Sequence, residues 1–164
     1  MFEALLSLET LDADTFRARK SPDPTGRLFG GQFMAQALAA AYATLPEDRH
    51  VHSLHAYFLR PGDVTLPIEL CVERVRDGRG FSSREITASQ EGKSRFRMLA
   101  SFQVPEESLE YQGFSMPDVP EPESVSLTYD AFTLAQTGEA DWHGANRPVD
   151  IRYINPPPPR GTPT

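Results

Sequence analysis

Apolar and polar residues alternate with a period of two through the middle of the chain, which is the spacing of side chains on one face of a β-strand. The pattern predicts strands over 51–59, 68–73, 81–90 and 93–104. The two-residue turn at 91–92 favours a hairpin between the last two strands. We therefore expect a meander of antiparallel strands with one face toward solvent.

A long helix is predicted over 32–44, because the stretch QFMAQALAAAYAT contains mostly strong helix formers and ends before Pro46. The helix is apolar on almost every side, so it has to be buried. A curved antiparallel sheet wrapped around it provides that cover, which predicts an α+β fold with a central helix. Nearer the start of the chain, a short helix over 2–8 and a strand over 15–18 are expected.

Length and charge limit the class of protein. The 164 residues fit about one domain, at roughly 150 residues per domain. The net charge of -7 argues against a nucleic-acid partner held by phosphate contacts. The longest apolar run, 37–43, is far shorter than the roughly 20 residues of a membrane-spanning helix. The acidic N-terminal stretch lacks the Lys and Arg of a leader, so we expect a cytoplasmic protein. The single Cys71 speaks against disulfide scaffolds and zinc fingers.

The composition changes after Val104. Residues 1–104 hold 13 basic and 13 acidic side chains, whereas 105–164 hold 3 and 10, together with 10 of the 15 prolines. Proline cannot donate to a strand ladder and disfavours helix before it, so this second region is expected to be mostly irregular. Its one alternating stretch, 149–153, predicts a short strand with nothing after it to pair with.

Five motifs follow one another along the first two-thirds of the chain. They are RLFGGQ at 27–32, which opens the Ala-rich helix, HSLHAYFLRPGD at 52–63, RDG at 76–78, FSSR at 81–84 and ASFQ at 100–103. In this order they resemble the acyl-CoA thioesterase II family. The resemblance runs from about 5 to 114 and resumes at 147–155, where the chain reads RPVDIRYIN.

Members of that family carry two hotdog domains on one chain, each a sheet wrapped around a helix. The resemblance implies a first hotdog domain over 1–115, an acidic proline-rich linker over 116–146, and the start of a second hotdog over 147–164. It also implies hydrolysis of fatty acyl-CoA to free fatty acid and CoA, without a metal or cofactor. The family has its catalytic Asp, Thr or Ser, and Gln in the second hotdog, so no catalytic residue is assigned in this chain.

The predicted helix itself offers no general base, because no acidic residue occurs between Asp23 and Glu47. Gly30 and Gly31 allow close approach of a ligand, and the free N–H groups at the helix start suit a carbonyl oxygen or oxyanion. A tight connection from loop to helix would explain the same two glycines. Gln32 and Gln36 lie one turn apart and would hydrogen-bond substrate or a partner hotdog, or serve as satisfied buried amides.

Histidines and arginines supply the remaining candidates. His52 is expected to reach the thioester region or to form a hydrogen bond at a domain interface. His52 and His55 are three apart on a strand and should face opposite ways, and His50 and His52 lack a third ligand, so no metal site is expected. Arg60 suits the phosphates of CoA. The arginines near the 77–80 turn suit them equally, and a solvated strand end is the alternative reading for all of them.

The predicted substrate-binding set is therefore Gly30, Gly31, Gln32, His52 and Arg60. Four apolar residues suit an acyl chain or an ordinary core: Phe33, Met34, Leu54 and Phe58. Cys71 shares a strand face with the carboxylates of Glu69 and Glu73, which oppose formation of a thiolate, so it is interpreted as inert.

Three functions compete. The first is an acyl-CoA thioesterase whose N-terminal hotdog is this chain. The second is a non-catalytic acyl-CoA-binding or assembly module that forms a homo-oligomer. The third is a hotdog hydratase, which needs an Asp and a His near the helix start, and 27–32 holds neither. Because an isolated sheet exposes unpaired edge strands, association with another copy or with a second hotdog is expected.

Overall fold

A six-stranded antiparallel sheet packs against one long helix. The computed structural model describes residues 2–18, 28–128 and 151–155. Its elements, in chain order, are helix α1 (Phe2–Leu6), strands β1 (Leu8–Thr10) and β2 (Thr15–Ala18), helix α2 (Gly30–Tyr42), strands β3 (His50–Phe58), β4 (Ile68–Asp77), β5 (Phe81–Gln90) and β6 (Lys93–Gln103), and a short 3₁₀ turn (Pro122–Ser124).

The strand order across the sheet is β1-β2-β4-β5-β6-β3, so β1 and β3 are the edge strands. The hairpin between β5 and β6 pairs Gln90 with Lys93. Its two turn residues, Glu91 and Gly92, have φ values of 50° and 70°, as a type I′ turn requires. The predicted meander and hairpin are confirmed.

The side of the sheet that faces α2 carries the core. Alternate residues of β5, of β6 and of the first half of β4 are buried. On α2 the buried face consists of Phe33, two glutamines and small alanines that let the sheet approach closely. The buried members of this core include Ile68, Leu70, Val72, Ile86, Ala88, Phe96, Met98, Ala100, Phe102, Ala37, Ala40 and Ala41. The predicted α+β arrangement around a central helix is confirmed. The face of α2 toward the sheet is buried, whereas Met34, Ala35, Leu38 and Ala39 are half-buried.

A buried arginine closes the C-terminal end of α2. Arg84 is 1% exposed on the inner face of β5, and all five of its N–H groups donate hydrogen bonds. Two go to Thr44, just beyond the helix, at 2.8 Å to Oγ1 and 3.1 Å to the carbonyl oxygen. The others reach the carbonyl oxygens of Arg76 and Ser83 and the Asp77 carboxylate at 2.8 Å. A cation at this end also complements the helix dipole.

The same contact lowers the pKa of Asp77. The main cause is the hydrogen bond from Arg84, and it outweighs the opposing effect of burial. Since the folded pKa lies below the ordinary value of 3.8, the contribution to stability is present above about pH 4 and is lost as the pH falls through the folded pKa.

The N-terminal segment differs from the sequence prediction. The helix ends at Leu6, and Leu8 begins strand β1, which the apolar pattern did not predict. Leu8 pairs with Ala18, and the turn between the two strands is closed by the Asp12 carboxylate, which accepts the amide of Asp14 at 3.0 Å. Strand pairing across this turn overrides the helical spacing of the apolar residues.

The chain divides into two units, Met1–Ser108 and Leu109–Thr164. In the second unit, Arg152 forms a single antiparallel bridge with Thr128, and the amide of Tyr153 donates to the carbonyl of Leu127 at 2.9 Å. The partner of the predicted 149–153 stretch therefore precedes it in the chain, so the expectation of an unpaired strand was wrong. Residues 149 and 150 lie outside the described residues.

The end of the first hotdog domain at residue 115 and the end of the linker at residue 146 remain predictions. Across the three described ranges, no helix combines the length and apolarity that crossing a membrane requires.

We expect Arg84→Ala to lower the free energy of unfolding by about 3 kcal/mol, because it leaves buried acceptors unpaired and opens a cavity. Arg97→Ala is the control, since Arg97 is exposed on β6 and pairs with Glu85 only at 3.6 Å; its cost should stay below about 1 kcal/mol. Urea unfolding of both variants measures the difference. Equal losses would show that the buried arginine does not secure the helix end.

Candidate functional site

A cavity of about 300 Å³ lies at the N-terminal end of α2. One wall comes from the start of the helix and the residues before it, and the other from the β3–β4 connection. The lining residues are Leu28, Gly30, Phe33, Phe58, Leu59, Arg60, Pro61 and Gly62. The cavity is small, apolar over most of its lining, and carries one cation at its edge.

The floor of the cavity is aromatic. The ring of Phe33 stacks on that of Phe96, with centroids 5.7 Å apart, and the ring of Phe58 lies 5.1 Å from the same Phe96. Phe96 is fully buried, whereas Phe58 is more than half exposed. The cavity therefore sits directly on the hydrophobic core and presents apolar surface to solvent.

The β3–β4 connection, residues 59–67, is held close to the helix. The amides of Leu59 and Arg60 donate to the Arg95 carbonyl at 2.8 and 3.1 Å, and the amide of Leu28 donates to the Gly62 carbonyl at 3.3 Å. A side chain at Gly62 would place its Cβ 2.6 Å from the Phe33 ring. Only glycine permits this approach, so Gly62 fixes the width of the cavity.

Gly30 and Gly31 form the start of α2. The preceding residue, Phe29, is extended (φ -65°, ψ 131°) and provides no side-chain cap. Within the described part of the chain, no acceptor is bonded to the amide of either glycine. A Cβ at Gly30 would come within 3.0 Å of the Phe58 ring, so glycine keeps this amide close to the cavity. Both amides carry the positive end of the helix dipole.

The two glutamines have different surroundings. Gln36 is fully buried and donates from Nε2 to the Leu5 carbonyl of α1 at 3.0 Å, but its Oε1 has no hydrogen-bond partner among the described residues, so this amide is only half satisfied. Gln32 is 6% exposed, and its Nε2 has no hydrogen-bond partner. Gln32 does not line the cavity. It follows the two glycines on the first helical turn, and its role in binding stays a prediction.

His52 lies away from the cavity. Its Nε2 is 2.8 Å from the Ser101 hydroxyl, and its ring is 5.8 Å from that of Phe81, both on the sheet face that points away from α2. From His52 to Phe58 is roughly 20 Å, at about 3.3 Å per residue. The structure therefore does not bring His52 together with Gly30 or Arg60.

The expectation that His52 and His55 face opposite ways was wrong. A bulge between Val51 and Ser53 shifts the alternation of β3 by one residue. His55 is paired with the exposed Leu99, so both histidines lie on the outer face of the sheet. Among the described residues, no three His, Cys, Asp or Glu side chains come together as a metal site.

Arg60 is at the mouth of the cavity. Its Nη1 donates to the carbonyl of Ser94 at 2.8 Å, and its side chain is exposed. The guanidinium is therefore anchored at one nitrogen, with other N–H groups available to an anion. Of the predicted set, the structure brings Gly30 and Arg60 together, with Gly31 next to Gly30. Of the four apolar candidates, Phe33 and Phe58 line the cavity, whereas Met34 and Leu54 do not.

The carboxylate of Asp63 follows directly after the cavity wall. It accepts the Thr65 amide at 2.8 Å and the Thr65 hydroxyl at 2.6 Å, and these bonds lower the pKa of Asp63. A carboxylate with a lowered pKa is a weaker general base. Neither this residue nor any lining residue supplies a base suited to activating water.

Comparison with known protein families identifies one domain in this chain. A family model described as the acyl-CoA thioesterase N-terminal domain matches residues 19–103, and the chain belongs to this family. Acyl-coenzyme A thioesterase 8 of Mus musculus is 44% identical over 166 residues, covering 94% of this chain and 52% of that protein. Acyl-CoA thioesterase 2 of Haemophilus influenzae is 42% identical over 160 residues, covering 93% of this chain and 55% of that protein.

Solved structures agree with the architecture. An acyl-CoA thioesterase II, TesB2 from Mycobacterium marinum, matches with a TM-score of 0.66 and 39% identity, covering 74% of this chain and 44% of that one. A hotdog-fold protein from Alicyclobacillus acidocaldarius matches with a TM-score of 0.63 and 26% identity, covering 76% and 47%. The predicted hotdog fold is confirmed. The chain spans about half the length of the curated relatives that it matches over nearly all of its own length.

Proposed function

We propose that this chain takes part in the hydrolysis of fatty acyl-CoA to free fatty acid and CoA, as the N-terminal hotdog of an acyl-CoA thioesterase. The observation that carries the proposal is the cavity at the start of α2, which combines aromatic rings, the Gly30 amide, to which no acceptor among the described residues is bonded, and a cation at its mouth. The family to which the chain belongs supports the same substrate class.

Each part of the cavity suits one part of such a substrate. The rings of Phe33 and Phe58 would contact the first carbons of the acyl chain. The amides of Gly30 and Gly31 would donate to the thioester carbonyl oxygen, on which negative charge develops during attack by water. The guanidinium of Arg60 would pair with a phosphate of CoA. A volume of about 300 Å³ is too small for a long acyl chain, so most of the chain would extend beyond the cavity.

The general base has to come from elsewhere. Helix α2 contains no acidic residue, and the lining of the cavity contains none. We propose that the base and the catalytic hydroxyl belong to a second hotdog, with residues 116–146 as the linker to it and 147–164 as its beginning. The length of the relatives, about twice the matched segment, supports this arrangement. This domain then shapes the site and holds the substrate.

We expect the purified 164-residue chain to bind an S-alkyl-CoA thioether and to hydrolyse acyl-CoA no faster than the uncatalysed background. Calorimetry measures the binding, and thiol release measures the turnover. Arg60→Ala should weaken binding about tenfold through the lost phosphate contact. Arg97→Ala, an exposed arginine that does not line the cavity, should leave binding unchanged.

Turnover well above background would contradict the conclusion that this domain lacks a general base. It would call for alanine substitutions at Gln36, His52 and His55. Absence of binding by the unsubstituted chain would contradict the proposed substrate site.

The second candidate function is a non-catalytic acyl-CoA-binding or assembly module that forms homo-oligomers. Strand β3 favours association, because it is a nine-residue edge strand that pairs on one side with β6. Near its end it exposes several large apolar side chains: Leu54, Tyr57, Phe58 and Leu59. Such an edge favours pairing with another strand, from a second copy or from a second hotdog.

A cytoplasmic location stays a prediction from the sequence.

We expect the chain alone to form dimers at about 10 μM and Tyr57→Lys to weaken them, because a charge on an exposed edge strand opposes pairing. Leu99→Lys replaces a similarly exposed apolar residue on β6, which pairs with a strand on each side at this position, and should not. Sedimentation velocity measures the mass of each. A monomer at every concentration would contradict pairing through β3.

A further inference from the structure

The side chain of Gln90 is bonded entirely to the loop that forms one wall of the cavity. Gln90 is the last residue of β5 and is 1% exposed. Its Oε1 accepts the amide of Asp63 at 2.9 Å, and its Nε2 donates to the carbonyl oxygens of Asp63 and Leu66 at 2.7 and 3.1 Å. Both amide protons are therefore used, and all three bonds go to one loop.

Among the described residues, this loop forms few other hydrogen bonds to the rest of the domain, although its Val64 side chain is buried. At its beginning, the amides of Leu59 and Arg60 are held by the Arg95 carbonyl, and in the middle the Gly62 carbonyl accepts from Leu28. Beyond Gly62, the Asp63 carboxylate bonds only within the loop, to Thr65. Within the described residues, Gln90 is thus the side chain that hydrogen-bonds the second half of the loop to the sheet, in addition to the burial of Val64. It does so directly after the four wall residues, 59–62.

The wall formed by residues 59–62 has almost no room to move toward the helix. The backbone at Gly62 lies so close to the helix that a Cβ there would be 2.6 Å from the Phe33 ring and 2.7 Å from the Leu28 side chain. A shift of about 1 Å at Asp63 would change both the width of the cavity and the direction of Arg60. Gln90 itself is not among the residues that line the cavity.

We propose that Gln90 is a positioning residue for the substrate cavity: through its three bonds to Asp63 and Leu66 it holds the Arg60–Gly62 wall at the distance from α2 that acyl-CoA binding requires. The inference rests on the proposed function, since it takes the cavity as the substrate site. The residue acts through the loop and has no contact with the substrate.

Gln90→Glu is the sharpest test, because it keeps the shape and one acceptor but replaces both donors with an oxygen that faces two carbonyl oxygens. We expect affinity for an S-alkyl-CoA thioether, measured by calorimetry near pH 8, to fall about tenfold or more. Gln90→Met, which has a similar volume and no hydrogen bonds, is the second variant if the carboxylate prevents folding, and it should show a loss of similar size.

A change of pH separates positioning from simple loss of packing. As the pH is lowered from about 8 to about 5, a buried glutamate becomes protonated and regains one donor. The Glu variant should then recover part of its affinity relative to the unsubstituted chain at the same pH, whereas the Met variant should not. Asp63, whose pKa is lowered, stays ionised over this range.

Thr44→Val is the matched control for stability. It removes a buried hydroxyl that bonds Arg84 and the Ala41 carbonyl at the other end of α2, away from the cavity. We expect it to lower the melting temperature as much as the Gln90 variants do, with affinity within about twofold of the unsubstituted chain.

The outcomes distinguish the two proposals. If the unsubstituted chain binds and the Gln90 variants lose stability but keep their affinity, Gln90 is structural only and the inference is overturned while the substrate site stands. If the unsubstituted chain does not bind the thioether, the substrate site fails, and the positioning role fails with it.

Discussion

The arrangement of the whole N-terminal domain follows from the need to bury the apolar face of helix α2. A helix with apolar residues on almost every side has to be covered, and its small alanines allow strands β4 to β6 to approach closely. The two ends of the helix differ in their hydrogen bonding. At the C-terminal end, the carbonyls of Ala39, Ala41 and Tyr42 accept the amides that follow the helix, and the buried guanidinium of Arg84 holds Thr44 just beyond it. The amides of Gly30 and Gly31 are left open beside a cavity. The candidate site is the open end of the helix.

The periodicity of the sequence predicts the parts of this fold that bury a face. Strand β5 occurs over the predicted residues, and the long helix differs from its predicted bounds by two residues at each end. Features set by pairing between distant or irregular segments were not predictable in this way. Strand β1 has only three residues, too few for a pattern, and the bulge that brings His55 to the same outer face as His52 leaves no local signal.

The residues of the candidate site also divide into those that a local motif predicts and those that depend on contacts between distant segments. Gly30 and Arg60 were identified from motifs, because a glycine at a helix start and an arginine after a strand have a recognisable chemistry. Leu28, Gly62 and Gln90 were missed, since their importance comes from contacts between the helix start, a loop and the end of β5. The hydrogen bond from Leu28 to the Gly62 carbonyl and the close approach of Gly62 to the Phe33 ring both join residues that are far apart in the sequence. The Pro61-Gly62 pair could have signalled a tight backbone approach, but it indicates equally an ordinary turn.

We propose that a CoA thioester binds at the open end of α2, on the inner side of the sheet. This binding mode can be tested by recording backbone amide chemical shifts while the chain is titrated with an S-alkyl-CoA thioether. Shifts are expected mainly at Gly30, Gly31 and residues 59–62, with little change at His52, His55 and Ser101. Shifts concentrated on that outer face, with the start of the helix unaffected, would contradict it.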